Sequence, residues 1–485
     1  MGSGNRAKSA AIALAAFAAT AVLLYFGNGL LPRWPLMWLA PLPVLVFALR
    51  RPAWQAGLVA AGAWLMGCLD LWGYLRVLRL PPAVWFSDFG AAAVVFAAGV
   101  LLMRALERRG ALWSAWLALP AMWVAFEFVR NLWLWPHGSA GCIAYSQLNF
   151  LPFLQLASVA GPWGMGFVLM LFPAGLALAI HRWGSARRQA THVLTATAAV
   201  VAATLIYGAV RLAIPSPAPE VTVGLIASDA NGGTPVENPG VPTQRLFENY
   251  AEHARQLIAQ GAQAVVMPEN MGVVLDAGVG TTDAVFQPIA DRTGAVLVVG
   301  MARIGAAGRH NEARIYTPHD AVRSYQKQHL LAPFETRSFT AGKSRTLFAA
   351  PEEATGQTWG VAICKDMDFT NPARGYGRAG VGLMLVPAWD FKVDGFWHGH
   401  IAVMRAVEDG FSLVRSARDG LMTVANDRGQ VVAEIPSSNA PFSTLLARVP
   451  AGHSRTIFLL LGDWFAWCAL VLTAWAAGRL FVTWS

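Results

Sequence analysis

Apolar residues fall along this chain in two rhythms. Over 9–31, 34–49, 54–75, 84–103, 112–129, 153–180 and 191–213, and again over 457–478, they run nearly free of charge. A helix needs about 20 apolar residues to cross a hydrocarbon layer of roughly 30 Å, so these stretches predict membrane helices, seven before the middle of the chain and one at its end. Between 214 and 456 the apolar runs shorten to "VTVGLIA" (221–227), "AVVMPE" (264–269), "AVLVVGMA" (295–302), "WGVAIC" (359–364), "GLMLVPAW" (382–389) and "FSLVRSA" (411–417). Amphipathic stretches separate them: Leu246, Tyr250, Ala254, Leu257 and Ile258 fall at helical spacing within 243–260, as do Ile401, Met404 and Val407 within 398–410. Short β-type runs alternating with helices predict a layered α/β domain. The expected organisation is a membrane domain over 1–213, an α/β domain over 214–456 entered through the extended linker "IPSPAPE", and a last membrane helix within 457–485.

Composition agrees with the first rhythm. With 55% hydrophobic and 13% charged residues, the chain has too little polar surface for an ordinary soluble protein. The net charge of +9 raises nucleic acid as a partner until it is located. Residues 214–456 hold 21 Lys and Arg against 23 Asp and Glu, and the rest of the chain 16 against 5, so the excess lies in the membrane part and no nucleic-acid partner is expected. It clusters at Arg6 and Lys8, Arg50 and Arg51, Arg104 with Arg108 and Arg109, Arg182 with Arg187 and Arg188, and Arg479. Those are alternate loops of an eight-span chain, which by the positive-inside rule puts both termini in the cytoplasm and 214–456 outside. Arg33, Arg76, Arg79 and Arg130 fall in or near the opposite loops. Residues 1–26 also read as a cleavable secretory signal, and cleavage leaves the remaining topology unchanged.

Four cysteines make no disulfide framework: Cys68 and Cys468 lie in spans, Cys142 and Cys364 on the outer side. Three polar residues punctuate β-type runs in the order Glu269, Lys327, Cys364, each at a position where ligands gather in α/β sheets. A carboxylate that takes a thiol proton, a thiolate that attacks a carbonyl, and an ammonium with a backbone N–H facing the oxyanion make an acyl-transfer site. Each has a plainer reading: Cys364 as a small core residue, Glu269 as a helix cap, Lys327 as a solvated cation. Glu335 either joins the site or pairs with Arg337 or Lys343, and Asp366 is either a supporting acid or a turn residue. Trp389, Phe391 and Trp397, in "WDFKVDGFWHGH" (389–400), are candidate substrate contacts or simple packing. His398 and His400 lack a third ligand, so no metal and no cofactor are expected.

The same residues carry a resemblance. "PEN" around Glu269, Lys-x-His-Leu from Lys327, a strand ending in Cys364, and "MRAVEDGFSLVRSARDGLMTVANDRGQVV" (404–432) resemble the nitrilase superfamily. Together with the spans, "FEFVRN" (126–131), "YSQLNFLPFLQLASVAGPWGMGFVL" (145–169) and "GDW" (462–464) resemble the apolipoprotein N-acyltransferase family over nearly the whole chain. The resemblance implies a multi-pass α-helical bundle of about eight spans carrying an exported four-layer α-β-β-α sandwich. It implies Cys364 as nucleophile, Glu269 as base, Lys327 as oxyanion stabiliser, and Glu335 as the second glutamate. The implied reaction moves an acyl chain from a phospholipid, through a cysteine thioester, to the α-amine of a diacylglyceryl cysteine on a lipoprotein. The implied setting is the bacterial inner membrane, with the catalytic domain periplasmic, lipids around it and a single chain as the working unit. Lys365 and Asp366 stand where the family commonly has an aromatic residue and Glu, and "PAWDF" (387–391) replaces its "N-D-x-W-F". These departures leave open a nitrilase-like amidase or another amine acceptor.

Overall fold

The computed structural model describes residues 3–134, 138–139, 141–229, 238–351 and 356–481. The chain divides into two compact units: one of Met1–Trp135, Gly141–Ala213 and Leu461–Ser485, and one of Ile214–Leu460 with Pro136–Ala140.

The first unit is helical. Among the described residues six helices are long and apolar enough to cross a membrane: Arg6–Gly27, Ala53–Val77, Pro82–Arg108, Leu112–Leu132, Ala157–Arg182 and Arg187–Ala213. The two remaining expected spans are shorter apolar helices, Trp34–Arg50 and Trp464–Gly478. Local residues interrupt both stretches. Pro41 has no N–H to donate, and it divides the first of them into Trp34–Leu39 and Leu42–Arg50. Gly462, at φ 65°, parts Ile457–Leu461 from Trp464–Gly478.

The second unit is a four-layer sandwich. One sheet has the order β13-β1-β2-β4-β5-β6, with β3 on β4; the other has the order β12-β11-β10-β9-β8-β7. The strands are β1 (Glu220–Ala227), β2 (Ala264–Val266), β3 (Val273–Leu275), β4 (Val296–Gly305), β5 (Gly308–Tyr316), β6 (Arg323–Gln326), β7 (Thr346–Ala349), β8 (Thr358–Val361), β9 (Val381–Trp389), β10 (Ser412–Arg418), β11 (Leu421–Ala425), β12 (Val431–Pro436) and β13 (Ser443–Pro450). Alternation along the strands builds the layers. Val221, Val223, Leu225, Val266 and Val298 meet Val361, Ile363, Leu383, Leu385 and Val414 in the core between the sheets. The intervening residues face outward. Ile226, Val265, Leu297 and Val299 pack under helices Val241–Ala259 and Val279–Thr293. Ala362, Met384 and Val386 pack under Thr370–Arg378 and Gly395–Asp409.

All six expected β-type runs enter ladders, but two leave them early. "AVVMPE" is strand only to Val266, and "WGVAIC" only to Val361. The chain then turns through Asn270 at φ 50° in the first case and through Cys364 at φ 43° in the second. Left-handed backbone is uncommon for residues with a side chain, and here it lies beside the two candidate catalytic groups.

Candidate active site

The strands β1, β2 and β4 run parallel, as do β8, β9 and β10, while β5 returns antiparallel and β6 reverses again to run in the direction of β4. Glu269, Lys327, Cys364 and Trp389 therefore emerge from like-directed strand ends, two from each sheet. Glu269 follows β2, and its N–H donates to the carbonyl of Ala388 at 3.2 Å, joining the ends of β2 and β9. A β-carbon on Gly300 would overlap the Pro268 carbonyl and come within 2.8 Å of the Glu269 Cα, so only glycine lets this turn lie against β4. Lys327 follows β6 and extends its ladder by one rung, its N–H donating to Asn311 O at 2.9 Å.

The side chains converge on one ammonium. Lys327 Nζ donates to Glu269 Oε1 at 2.7 Å and to Glu335 Oε2 at 2.8 Å, all three groups being buried. Asn311, buried in β5, spans the two carboxylates, with Nδ2 at 2.5 Å from Glu269 Oε1 and 2.7 Å from Glu335 Oε1. The Leu331 N–H also donates to Glu335, at 2.7 Å. On the second sheet, the Cys364 thiol donates to the carbonyl of Trp389 at 3.5 Å, between the ends of β8 and β9.

The charges of this group are interdependent. Burial opposes the charge on Lys327, yet Glu269 and Glu335 outweigh it and hold the ammonium well above the ordinary lysine range. Burial pushes the Glu269 carboxyl up against the pull of Lys327, and the second carboxylate of Glu335 adds to the rise. The Cys364 thiol is also pushed well above its ordinary value, by burial and then by Glu269, with Lys327 and Arg415 pulling the other way. Burial and neighbouring charge thus favour the protonated forms of both Cys364 and Glu269.

Asp366 has a more defined place than a turn acid. Its Oδ1 accepts from the N–H groups of Gln328 (3.1 Å) and His329 (2.8 Å), and lies 3.1 Å from His329 Nδ1. Its Oδ2 accepts from Tyr325 Oη at 2.7 Å and from the Ile363 N–H at 3.1 Å. One buried carboxylate thus fastens the segment flanking Lys327 to the residue before Cys364. Lys365, also buried, reaches Asp368 Oδ2 at 3.3 Å.

Trp389 and Phe391 are partly exposed, whereas Trp397 is 8% exposed and packs edge-on to His398. The guanidinium of Arg418 lies 3.7 Å over the Trp389 ring. Arg415 forms a two-pronged, fully buried pair with Asp390 at 3.0 and 2.6 Å. His398 sits between Asp368 Oδ1 (3.1 Å) and Asp394 Oδ2 (3.3 Å), which raise it to about 10 against the effect of burial. Its imidazolium supports the fold fully below about pH 6.5, the unfolded value, and that support fades as pH climbs through about 10. Thermal unfolding of His398→Gln and the parent chain should therefore differ most near pH 6 and converge toward pH 10.

Asn311, Arg415 and Asp390 did not stand out in the sequence. Asn311 lies in the polar run "GRHNEARIY", which carries no strand signal, and its two partners are distant in the chain. Asn311→Leu keeps the volume and removes both hydrogen bonds. It should slow any reaction at Cys364 by about 10- to 100-fold, read as the rate of covalent acylation, with little change in melting temperature.

Comparison with known proteins now adds to this geometry. A family model for the apolipoprotein N-acyltransferase N-terminal domain matches residues 9–175. The apolipoprotein N-acyltransferase of Geobacter metallireducens is 25% identical over 92% of this chain and 91% of its own length. That of Photobacterium profundum is 23% identical over 85% of this chain and 82% of its own. An amidase from Nesterenkonia in complex with butyramide is 20% identical, covers 50% of this chain and 96% of its own, and superposes with a TM-score of 0.40. A Saccharomyces cerevisiae member of branch 10 of the nitrilase superfamily is 18% identical with the same score.

Proposed function

We propose, for a chain that belongs to the apolipoprotein N-acyltransferase family, a two-stage transfer through Cys364. The observation that carries this reading is the buried Glu269–Lys327–Glu335 cluster, whose charges act on the half-buried thiol of Cys364 at a turn of positive φ.

In the first stage Glu269 takes the proton of Cys364, and the thiolate sulfur bonds to an ester carbonyl carbon of a phospholipid. The carbonyl oxygen becomes an oxyanion, which the Lys327 ammonium stabilises together with a backbone N–H. Collapse breaks the ester C–O bond, and the departing lysophospholipid alkoxide receives the proton held by Glu269. A thioester on Cys364 remains. In the second stage the α-amine of a diacylglyceryl cysteine attacks that thioester and loses its proton to Glu269. The thiolate leaves, regains a proton, and an amide is released. Glu335 and Asn311 keep Lys327 and Glu269 in place through both stages. Asp366 holds the lysine segment against the cysteine turn, and Trp389 and Phe391 flank the acyl chain. The arginine clusters support an inner-membrane protein with its α/β unit on the periplasmic side.

The test is a time-resolved mass measurement on the purified chain. Incubation with phospholipid alone should place one acyl mass on the peptide containing Cys364. A diacylglyceryl peptide added afterwards should take that mass onto its amine as the enzyme loses it. Absence of the thioester defeats the mechanism, and a thioester released only to water would make the protein a hydrolase.

A further inference from the structure

We propose that the basic end of the helical unit contains a binding site for one anionic phospholipid. The site is the corner where Leu42–Arg50 meets Ala53–Gly67 beside the first turns of Arg6–Gly27. Pro52 starts the new helix immediately, so Arg50 and Arg51 sit on the corner itself. A cavity of about 850 Å³ opens there, lined among others by Arg6, Lys8, Arg50, Arg51, Trp54 and Leu58.

Three features make it an anion site rather than a basic surface. First, its lining contains four cations and no Asp or Glu, and among the described residues none of the four forms an ion pair. Second, the corner is built. Buried Arg104 donates to the Ala48 carbonyl at 3.1 Å and to the Arg51 carbonyl at 3.0 and 2.8 Å, occupying the negative end of Leu42–Arg50. Arg51 Nη1 reaches Ser9 Oγ at 3.0 Å, fastening the corner to the first helix. Third, the 15-residue helix Ala53–Gly67 begins here with no side-chain cap, so its free N–H groups add to the positive potential.

The apolar flank decides between a free anion and a lipid. Ile12, Trp54 and Leu58 are 43%, 66% and 67% exposed next to the cations, in a unit with helices long and apolar enough to cross a membrane. A phosphate headgroup would engage the arginines while its acyl chains lie along Trp54 and Leu58, and each cation near the headgroup adds to the preference for negative lipid. A soluble phosphate would leave that flank without a partner.

Native mass spectrometry of the intact chain in detergent tests this, with dioleoyl phosphatidylglycerol, dioleoyl phosphatidylcholine and glycerol 3-phosphate as probes. One phosphatidylglycerol per chain should be retained about tenfold better than phosphatidylcholine, and glycerol 3-phosphate should not displace it. The double variant Arg50→Gln with Arg51→Gln should lose that preference. Arg187→Gln with Arg188→Gln removes the same charge elsewhere and should keep it. Lys8→Gln, at an exposed position that cannot disturb packing, should weaken retention about fivefold. Equal retention of both lipids, displacement by glycerol 3-phosphate, or equal loss in the Arg187 and Arg188 variant would each overturn the site. None of these readouts depends on acyl transfer, so the proposal stands or falls separately from the reaction at Cys364.

Discussion

Cys364→Ala is expected to abolish acyl transfer, lowering the rate by about 10⁴-fold or more, because the proposed reaction would lose the atom that carries the acyl chain between donor and acceptor. The fold should survive. The thiol makes one long hydrogen bond to Trp389 and is only partly buried, so alanine removes a sulfur and no structural partner. Stability should stay within about 1 kcal/mol of the parent. Glu269, Lys327, Asn311 and Glu335 keep their mutual bonds. The variant should still unfold cooperatively at nearly the parent temperature while no acyl mass appears on its peptides or on the acceptor. Transfer at a tenth of the parent rate or above would show that another nucleophile, or direct attack of the amine on the phospholipid, does the chemistry.

Asp366→Ala should act in the opposite sense, through the fold before the chemistry. The substitution strands three backbone N–H groups, of Ile363, Gln328 and His329, and the Tyr325 hydroxyl, in a buried place with no other acceptor provided for them. At about 1–3 kcal/mol for each unsatisfied donor, and allowing for local relaxation, a loss on the order of 4 kcal/mol is expected. Asp366→Asn keeps one oxygen acceptor and should recover part of it. Thermal melting in detergent reads the first effect. Acylation measured below the lowered melting temperature reads the second, since a loosened Lys327 segment no longer faces Cys364 at a fixed distance. Wild-type stability in Asp366→Ala would reduce Asp366 to a turn acid.

The legible parts of this molecule are those with local causes. Long apolar runs announced the helical unit, and the short apolar runs at 221–227, 295–302 and 382–389 announced the central strands β1, β4 and β9. Glu269, Lys327 and Cys364 could be found because each ends or follows such a run. The strand β5 could not. Arg309, His310, Asn311, Glu312 and Arg314 break its apolar pattern, because Arg314 pairs with Asp283 and Glu312 while Asn311 turns into the site. The true extent of Asp366 was hidden for a related reason. Four of its five donors come from Tyr325, Gln328 and His329, a stretch that is near only after folding. Pro41 divides one expected span and Gly462 shortens another, although apolar content alone presented both as continuous.

Gly138 and Ser139 belong to the α/β unit although the 73 residues of Gly141–Ala213, which belong to the helical unit, separate them from the rest of it, from Ile214 on. The Ser139 N–H and hydroxyl both donate to the carbonyl of Asp368, at 3.1 and 3.0 Å, on the turn that starts with Cys364. A β-carbon on Gly138 would press on that carbonyl and on the Phe369 ring. The ribosome therefore makes the clamp on the cysteine turn long before it makes the turn, and Cys364 is secured only after the remaining helices have been laid down. A polypeptide cut to start at Ile214 would contain every residue of the proposed reaction and lack the two that bind the turn at Asp368.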